Sequence, residues 1–348
     1  MSRVIILGAG ASYGTLGEKA PLARDFGQYL MKKTPHWSES YPYLAAAINF
    51  LEPRLRDTTT KSWALDKVWG AIDNRVKLKF VLGLTLPGAP FPPPSSKKIY
   101  KRNLDPWGFA GFELRCAVAG LYGVDLLPAI QSASAGNGTV REKLKELQAG
   151  DCVISFNYEL LAETILKMNG QKFTLANPSI NPDDVGDAIL LCKPHGSLNW
   201  KQRSPENGRS VEIRKDPMRE DEIDFAETEN CTVQPGIIGP VPYKSEIIFS
   251  ELQLGSVGNF FDLLVTQWRC AIQHLSVCDK LIILGYGFPP EDLHAQYLFA
   301  DTGARRKNSR SIDVEIYEGR KDRFEAVKRE VEKLFKTNLF KDGGPVKP

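Results

Sequence analysis

Four consecutive apolar residues near the start of the chain, Val4-Ile5-Ile6-Leu7, run directly into Gly8-Ala9-Gly10-Ala11-Ser12. A strand that is apolar at successive positions is covered on both faces, the condition of a parallel sheet packed between helices. The glycines that end it permit a tight turn and a close approach by another backbone or a ligand. A helix after such a turn aims its unpaired N–H groups and the positive end of its dipole at whatever lies there. Two readings stay open at this point: a cradle for a phosphate, or tight packing of strand and helix without any ligand.

Comparable apolar runs recur at 3–8, 152–156, 188–193, 246–250, 280–285 and 312–317, each bounded by turn residues. Helical patterns lie between them. The clearest covers 321–336, where Phe324, Val327, Val331, Leu334 and Phe335 form one apolar stripe on an otherwise charged segment. Another covers 258–275, with Phe261, Leu264, Trp268, Ala271 and Leu275 at helical spacing. Strand and helix in alternation predict an α/β fold: a doubly wound, Rossmann-like parallel sheet. Residues 9–151 separate the first run from the second, too long a stretch for a single crossover helix. A helical insertion is therefore expected at about 31–148, with pieces near 22–33, 42–52, 61–82, 107–121 and 138–148. It contains the proline-rich segment 86–98, which reads as a linker or lid. The core would comprise 1–30 and 149–336. Residues 201–245 read as an irregular region able to fold over a ligand, and 337–348 as a C-terminal tail, frayed from Asp342 to Pro348.

At 348 residues, 42% hydrophobic and 25% charged, the composition is that of an ordinary globular protein. No apolar run reaches the roughly 18 residues of a membrane span, and the chain starts on a strand instead of a cleavable leader, so a cytoplasmic protein is expected. The six cysteines never form a C-x-x-C pair, which predicts buried free thiols with no metal site and no disulfide frame. A net charge of +3 is too small for a dedicated nucleic-acid binder. The one dense basic cluster, Arg305, Arg306, Lys307 and Arg310, reads as a solvated loop.

Three later segments fall, like the glycine turn, just beyond an apolar run. In SFNYE (155–159), Asn157 can donate and accept at once, which suits a ribose hydroxyl or an ordered water, or it can cap the following helix. In KPHGSLNW (193–200), His195 is the best placed of the four histidines for proton transfer, an effect worth about a hundred- to ten-thousand-fold in rate. A turn histidine tied to the backbone is the alternative. In LGYGFPPEDLH (284–294), Gly285 and Gly287 leave room for close approach, while Glu291 and Asp292 are expected in the first turn of a helix. Asp292 can serve the helix dipole, hold a ribose or orient a neighbour. A dehydrogenase fingerprint is missing, because Tyr13 stands where the third glycine of G-x-G-x-x-G belongs.

In this order the four segments resemble the sirtuin-like NAD-consuming family, more particularly its bacterial branch found in antiphage defence. The resemblance covers the strand-end motifs from Gly8 to about residue 300. In that family a G-A-G-x-S turn holds the NAD pyrophosphate, an Asn and a His serve the nicotinamide-ribose chemistry, and a G-Y-S-x-P-x-D-like motif borders the adenosine side. The resemblance thus implies that Gly8, Ala9, Gly10, Ala11 and Ser12 bind pyrophosphate and that Asn157 and His195 are catalytic. Phe156, Glu159, Gly196, Ser197, Gly285, Tyr286, Gly287 and Asp292 would complete the NAD site. Glu159 replaces the usual Asp, Gly287 replaces the usual Ser, and the zinc module of protein-deacylating sirtuins is lacking. The function implied by the resemblance is a metal-independent NAD hydrolase that releases nicotinamide and ADP-ribose, an NAD-depleting effector of antiphage defence acting by abortive infection. It would be gated as a homo-oligomer or by a phage-sensing or NTP-hydrolysing partner. An NAD-dependent protein deacylase and a non-catalytic NAD or ADP-ribose sensor are the competing expectations.

Overall fold

The computed structural model describes residues 2–55, 63–82, 106–123, 126–179, 186–204, 210–218, 232–237, 259–289, 292–306 and 311–348. In chain order the strands are β1 (Arg3–Leu7), β2 (Cys152–Ser155), β3 (Phe173–Leu175), β4 (Ile189–Cys192), β5 (Gly196–Ser204), β6 (Ser210–Ile213), β7 (Thr232–Ile237), β8 (Lys280–Leu284), β9 (Ile312–Tyr317) and β10 (Thr337–Gly344). The helices are α1 (Ala9–Leu16), α2 (Phe26–Lys33), α3 (Trp37–Ser40), α4 (Pro42–Leu55), α5 (Leu65–Leu82), α6 (Pro106–Tyr122), α7 (Leu127–Ala135), α8 (Thr139–Lys145), α9 (Leu161–Met168), α10 (Asn259–Val277), α11 (Leu293–Arg305) and α12 (Lys321–Leu334). They divide between two compact units. One comprises Met1–Ala20, Leu126–Ser197 and Phe261–Pro348, the other Pro21–Asp125 and Leu198–Phe260.

The first unit is the doubly wound α/β fold that the apolar runs predict. Its sheet has the order β10-β9-β8-β1-β2-β4-β3, and every neighbouring pair is parallel. Leu7 lies level with Ser155 on one side and Leu284 on the other, so the loops that follow β1, β2 and β8 leave the same end of the sheet. Alternate residues supply the two faces. Val4, Ile6, Ile154, Leu190, Leu281, Ile283 and Val314 pack with Cys270 and Leu275 of α10, Leu298 and Phe299 of α11, and Val327 and Val331 of α12. Ile5, Leu7, Val153, Leu191, Ile282 and Leu284 point the other way and are equally buried. The chain passes from β1 toward β2, β4 and β3, then returns to β8 on the opposite flank. The direction of winding therefore reverses between β1 and β8, where sheets of this kind bind ligands.

Boundaries differ from the sequence expectation in several places. The helices at 127–135 and 139–145 pack on α9 and α1 and belong with the sheet, whereas 21–30 groups with the other unit. The presumed tail is the edge strand β10, paired in parallel with β9 from Thr337 to Gly344. Beyond it Val346 packs against Gly14, where a β-carbon would lie 2.6 Å away, and Lys347 and Thr139 bond in both directions at 2.9 and 3.1 Å. An edge strand with both faces partly wet has no apolar run to betray it. Short β3, three half-buried residues, escaped for the same reason. The basic cluster is not a wholly solvated loop either: Arg306 is buried and donates to the Leu275 carbonyl, and Arg305 pairs with Asp301. Five cysteines are buried free thiols, and burial pushes Cys270 and Cys278 up to about 12. Lys307, Arg310, Cys231, the expected strand at 246–250 and the proline-rich 86–98 lie outside the described residues.

In the second unit, α4, α5 and α6 pack together around a buried Glu113, whose carboxylate accepts from the Leu44 N–H at 2.7 Å. Tyr43 and Phe109 meet at 5.0 Å, and the Arg75 guanidinium lies 5.4 Å from both the Phe50 and Trp107 rings. The region expected to be irregular holds the sheet β6-β5-β7, in which β5 and β6 are antiparallel. Among the described residues one helical stretch, Pro106–Ala135, has the length and apolarity of a membrane span, and half of its 18-residue apolar window is buried inside the protein.

Glu315 on β9 ties three elements of the first unit together. It is buried, accepts from the Tyr317 hydroxyl at 2.5 Å, and lies 2.9 to 3.3 Å from the ammonium groups of Lys280, Lys341 and Lys143. Burial pushes its carboxyl up, but the Tyr317 hydroxyl and the three lysines outweigh this and hold it at about 2. A carboxyl depressed in the folded state stabilises above its ordinary pKa, and that stabilisation is lost as pH falls through the folded value. Stability should therefore decline as pH drops from about 4.5 toward 2, and Glu315→Gln should flatten this part of a stability–pH profile from thermal unfolding. An identical acid decline in both proteins would contradict the assignment.

Candidate functional site

At the reversal point the two glycine turns close on one another. Gly8 N donates to Leu284 O at 3.1 Å and Gly10 N to Gly285 O at 3.0 Å. A β-carbon on Gly8 would lie 2.6 Å from Gly285 O and Tyr286 Cα. One on Gly285, whose φ is +59°, would lie 2.3 Å from Ala11 N and Gly10 C. The glycines are thus required by backbone meeting backbone. The first turn of α1 stays open all the same: Ala9 is exposed, Gly10 half-buried, and the nearby Gly287 is exposed with open space around its α-carbon.

Behind this turn the first two motifs interlock. The Asn157 Nδ2 donates to Gly8 O and to Ser12 Oγ, both at 2.9 Å, and Ser12 Oγ donates to Glu159 Oε1. The other Glu159 oxygen accepts from Leu161 N at 2.5 Å at the start of α9. Asn157 therefore does not cap that helix, as it could have done; Glu159 satisfies its first N–H. Burial pushes the Glu159 carboxyl up against the opposing pull of Lys193, Ser12 and the Leu161 N–H. Lys193, fully buried at the end of β4, donates to Glu159 O at 2.7 Å and pairs with Glu163 at 2.8 Å. With both amide hydrogens drawn toward Gly8 and Ser12, the orientation of the Asn157 amide is settled, and among the described residues none of its hydrogen bonds uses Oδ1.

The third and fourth motifs meet on the other face of the sheet end. Lys193-Pro194-His195-Gly196 is a tight turn, closed by Gly196 N donating to Lys193 O at 2.9 Å, with Pro at its second position and a Gly of φ +81° at its fourth. This sets the buried His195 ring edge-on to Phe156 at 5.2 Å and within 6.4 Å of Tyr158 and 6.2 Å of Trp268. Its Nε2 lies 2.6 Å from Asp292 Oδ2, at ion-pair distance though short of full hydrogen-bond alignment. Asp292 is the N-cap of α11, just outside the helix in whose first turn it was expected; its Oδ1 accepts from Ala295 N at 3.3 Å. The loop reaching it carries a strained residue, Phe288 with φ +50°, whose buried ring packs on Tyr286 and Phe299. Such backbone strain persists where surrounding packing over-determines it. Phe156 stacks on Tyr286 at 4.5 Å and joins the two halves of this face. Glu291 lies outside the described residues.

The other site residues expected from the sequence follow β1, β2, β4 and β8 at one end of the sheet, most of them in two groups. Gly8, Ala9, Gly10, Ala11, Ser12, Asn157 and Glu159 form a polar network around the start of α1. Phe156, His195, Tyr286 and Asp292 form an aromatic and ionic cluster toward α10 and α11, and Ser197 donates to Tyr158 O between Asn157 and that cluster. Asn157 and His195 are not hydrogen-bonded to one another. The sequence reading missed Lys193, whose place at the end of an all-apolar strand was the available signal, and Glu163, one helical turn beyond Glu159. It also counted Trp268 only as part of an apolar stripe. Among known proteins, no family model matches the chain and no curated protein is similar to it.

Removing one partner of a buried ion pair costs about 3–5 kcal/mol, because the other charge is stranded. Lys193→Met should therefore lower the urea-unfolding free energy by about that amount. A loss below about 1 kcal/mol, the range of exposed pairs, would show that Lys193 does not hold the network together.

Proposed function

We propose that this chain is an NAD hydrolase that cleaves the bond between nicotinamide and ribose. The observation that carries the reading is the fixed Asn157 amide beside the open first turn of α1. A pre-oriented acceptor, Oδ1, stands next to a helix N-terminus that suits a pyrophosphate, with a histidine for acid–base work in the turn after the adjacent strand β4. The exposed Ala9 and the open space at Gly287 fit a phosphate-bearing ligand that runs along these turns. Ser12 and Glu159 then act from behind, by holding Asn157, and not as phosphate or carboxamide contacts.

Nicotinamide leaves as a neutral molecule when the electron pair of the C1′–N bond passes to its ring nitrogen. The ribose carbon, left electron-poor, takes a water oxygen in its place. Asn157 Oδ1 would orient that water or a ribose hydroxyl, and His195 would accept the water proton as the new C–O bond forms. The pyrophosphate would lie on the open side of the first α1 turn, at the exposed Ala9, where helix charge favours an anion by roughly 0.3–2 kcal/mol, while Gly8 and Gly10 seat that turn against Gly285. Uncontrolled loss of NAD harms a cell, so gating by self-assembly or by a sensing or NTP-hydrolysing partner suits a cytoplasmic effector of antiphage defence.

The test is product analysis of purified protein with NAD, alone and with neighbouring-gene products. Free nicotinamide and ADP-ribose in equal amounts, without an acyl acceptor, are expected. His195→Gln keeps a donor for Asp292 but no base, and should slow cleavage by about 10²- to 10⁴-fold with little change in melting temperature. Asn157→Ala is a poorer probe, since it also removes one hydrogen bond each from the Gly8 carbonyl and the Ser12 hydroxyl. Products that appear only with an acylated peptide would replace hydrolysis by deacylation, and binding without turnover would replace it by sensing.

A further inference from the structure

We infer that Asp292 is the positioning residue of His195 and not a ribose ligand, and that it makes Nδ1 the basic nitrogen of the ring. The inference rests on the reading of His195 as the base. Asp292 is 0% exposed and lies deeper than His195 at 4% and Asn157 at 8%. Its carboxylate is held from both sides, Oδ1 by the Ala295 N–H and Oδ2 by its place 2.6 Å from His195 Nε2. Its main chain is fixed as well, with N donating to Pro289 O and O accepting from Gln296 N, both at 3.1 Å. As N-cap of a 13-residue helix, the carboxylate also sits where the helix dipole favours a negative charge.

A neutral imidazole carries one N–H and one basic nitrogen. With an ionised carboxylate against Nε2, the proton belongs on Nε2, and Nδ1 becomes the proton acceptor. When His195 takes a proton, the resulting cation is balanced by Asp292, beside the rings of Phe156, Tyr158 and Trp268. The imperfect alignment of the pair does not oppose this, because catalytic contacts of this type commonly tighten only when substrate is bound. A residue spaced 97 positions from its histidine (292 − 195) carries no local sequence signal of the partnership.

Asp292→Asn separates the roles cleanly, since asparagine is itself a good N-cap and preserves the link to Ala295. Its amide would present a donor to the ring and turn the tautomer round. The expected result is a fall in kcat of about 10²- to 10⁴-fold with KM within about twofold of wild type and an almost unchanged melting temperature. A raised KM with unchanged kcat would instead mark Asp292 as a substrate ligand and overturn the inference, as would unchanged kcat and KM. The second measurement needs neither turnover nor a variant: nitrogen-15 NMR of the histidine-labelled wild-type protein should show His195 as the Nε2–H tautomer at neutral pH or above. The Nδ1–H form would overturn the inference even if the protein cleaves no NAD, which keeps its failure distinct from failure of the hydrolase reading.

Discussion

The backbone of Gly10 lies against that of Gly285, with the Gly10 N–H given to the Gly285 carbonyl and no space at either α-carbon for a side chain. This contact joins the turn after β1 to the turn after β8, the point where the chain changes its direction of winding. Everything at the site is placed relative to it. On one side it sets α1 so that Ser12 reaches Asn157 and Glu159; on the other it sets Tyr286 against Phe156 and so the loop that ends in Asp292. An alanine at either position would push two loops apart and disturb both groups at once.

The two groups approach the sheet end from opposite faces because strand side chains alternate. Phe156 turns toward α10 and α11 with His195, while Asn157, one residue on, turns toward α1. A ligand laid across the strand ends would meet an oriented amide from one face and an imidazole from the other. The buried charges are distributed to hold these two groups in place: Lys193 and Glu163 behind the loop of Asn157, Asp292 behind His195. Each polar side chain is fixed by a neighbour that a ligand need not touch, which is how a site stays organised before anything binds.

Much of this was legible from residues alone. The runs at 3–8, 152–156, 188–193, 280–285 and 312–317 are strands because a strand covered on both faces must be apolar throughout, and that signal is strong. β10 and β3 carried no such signal, one at an edge with wet faces and the other only three residues long. The division into units was only half legible, since helices 127–135 and 139–145 look the same from sequence whether they cover the sheet or belong to an insertion. At the candidate site, the motifs marked loops that the fold brings to one end of the sheet, because glycine, asparagine and histidine beyond buried strands are unusual enough to notice. Partnerships were invisible: Asn157 with Gly8, Ser12 with Glu159 and His195 with Asp292 are all made between distant segments. Nothing near Ser12, Glu159 or Asp292 in the sequence announces the hydrogen bonds and ion pair that tie them to Asn157, Leu161, Ala295 and His195.

The central claim is that NAD lies over the turn after β1 with its nicotinamide end between Asn157 and His195. Hydrogen–deuterium exchange on the His195→Gln protein, which should bind NAD without destroying it, tests this most directly. Slowed exchange on adding NAD at residues 8–12, 155–159 and 285–288, with the rest of the sheet unaffected, is the predicted result. Protection elsewhere, or none at saturating NAD, would contradict the account.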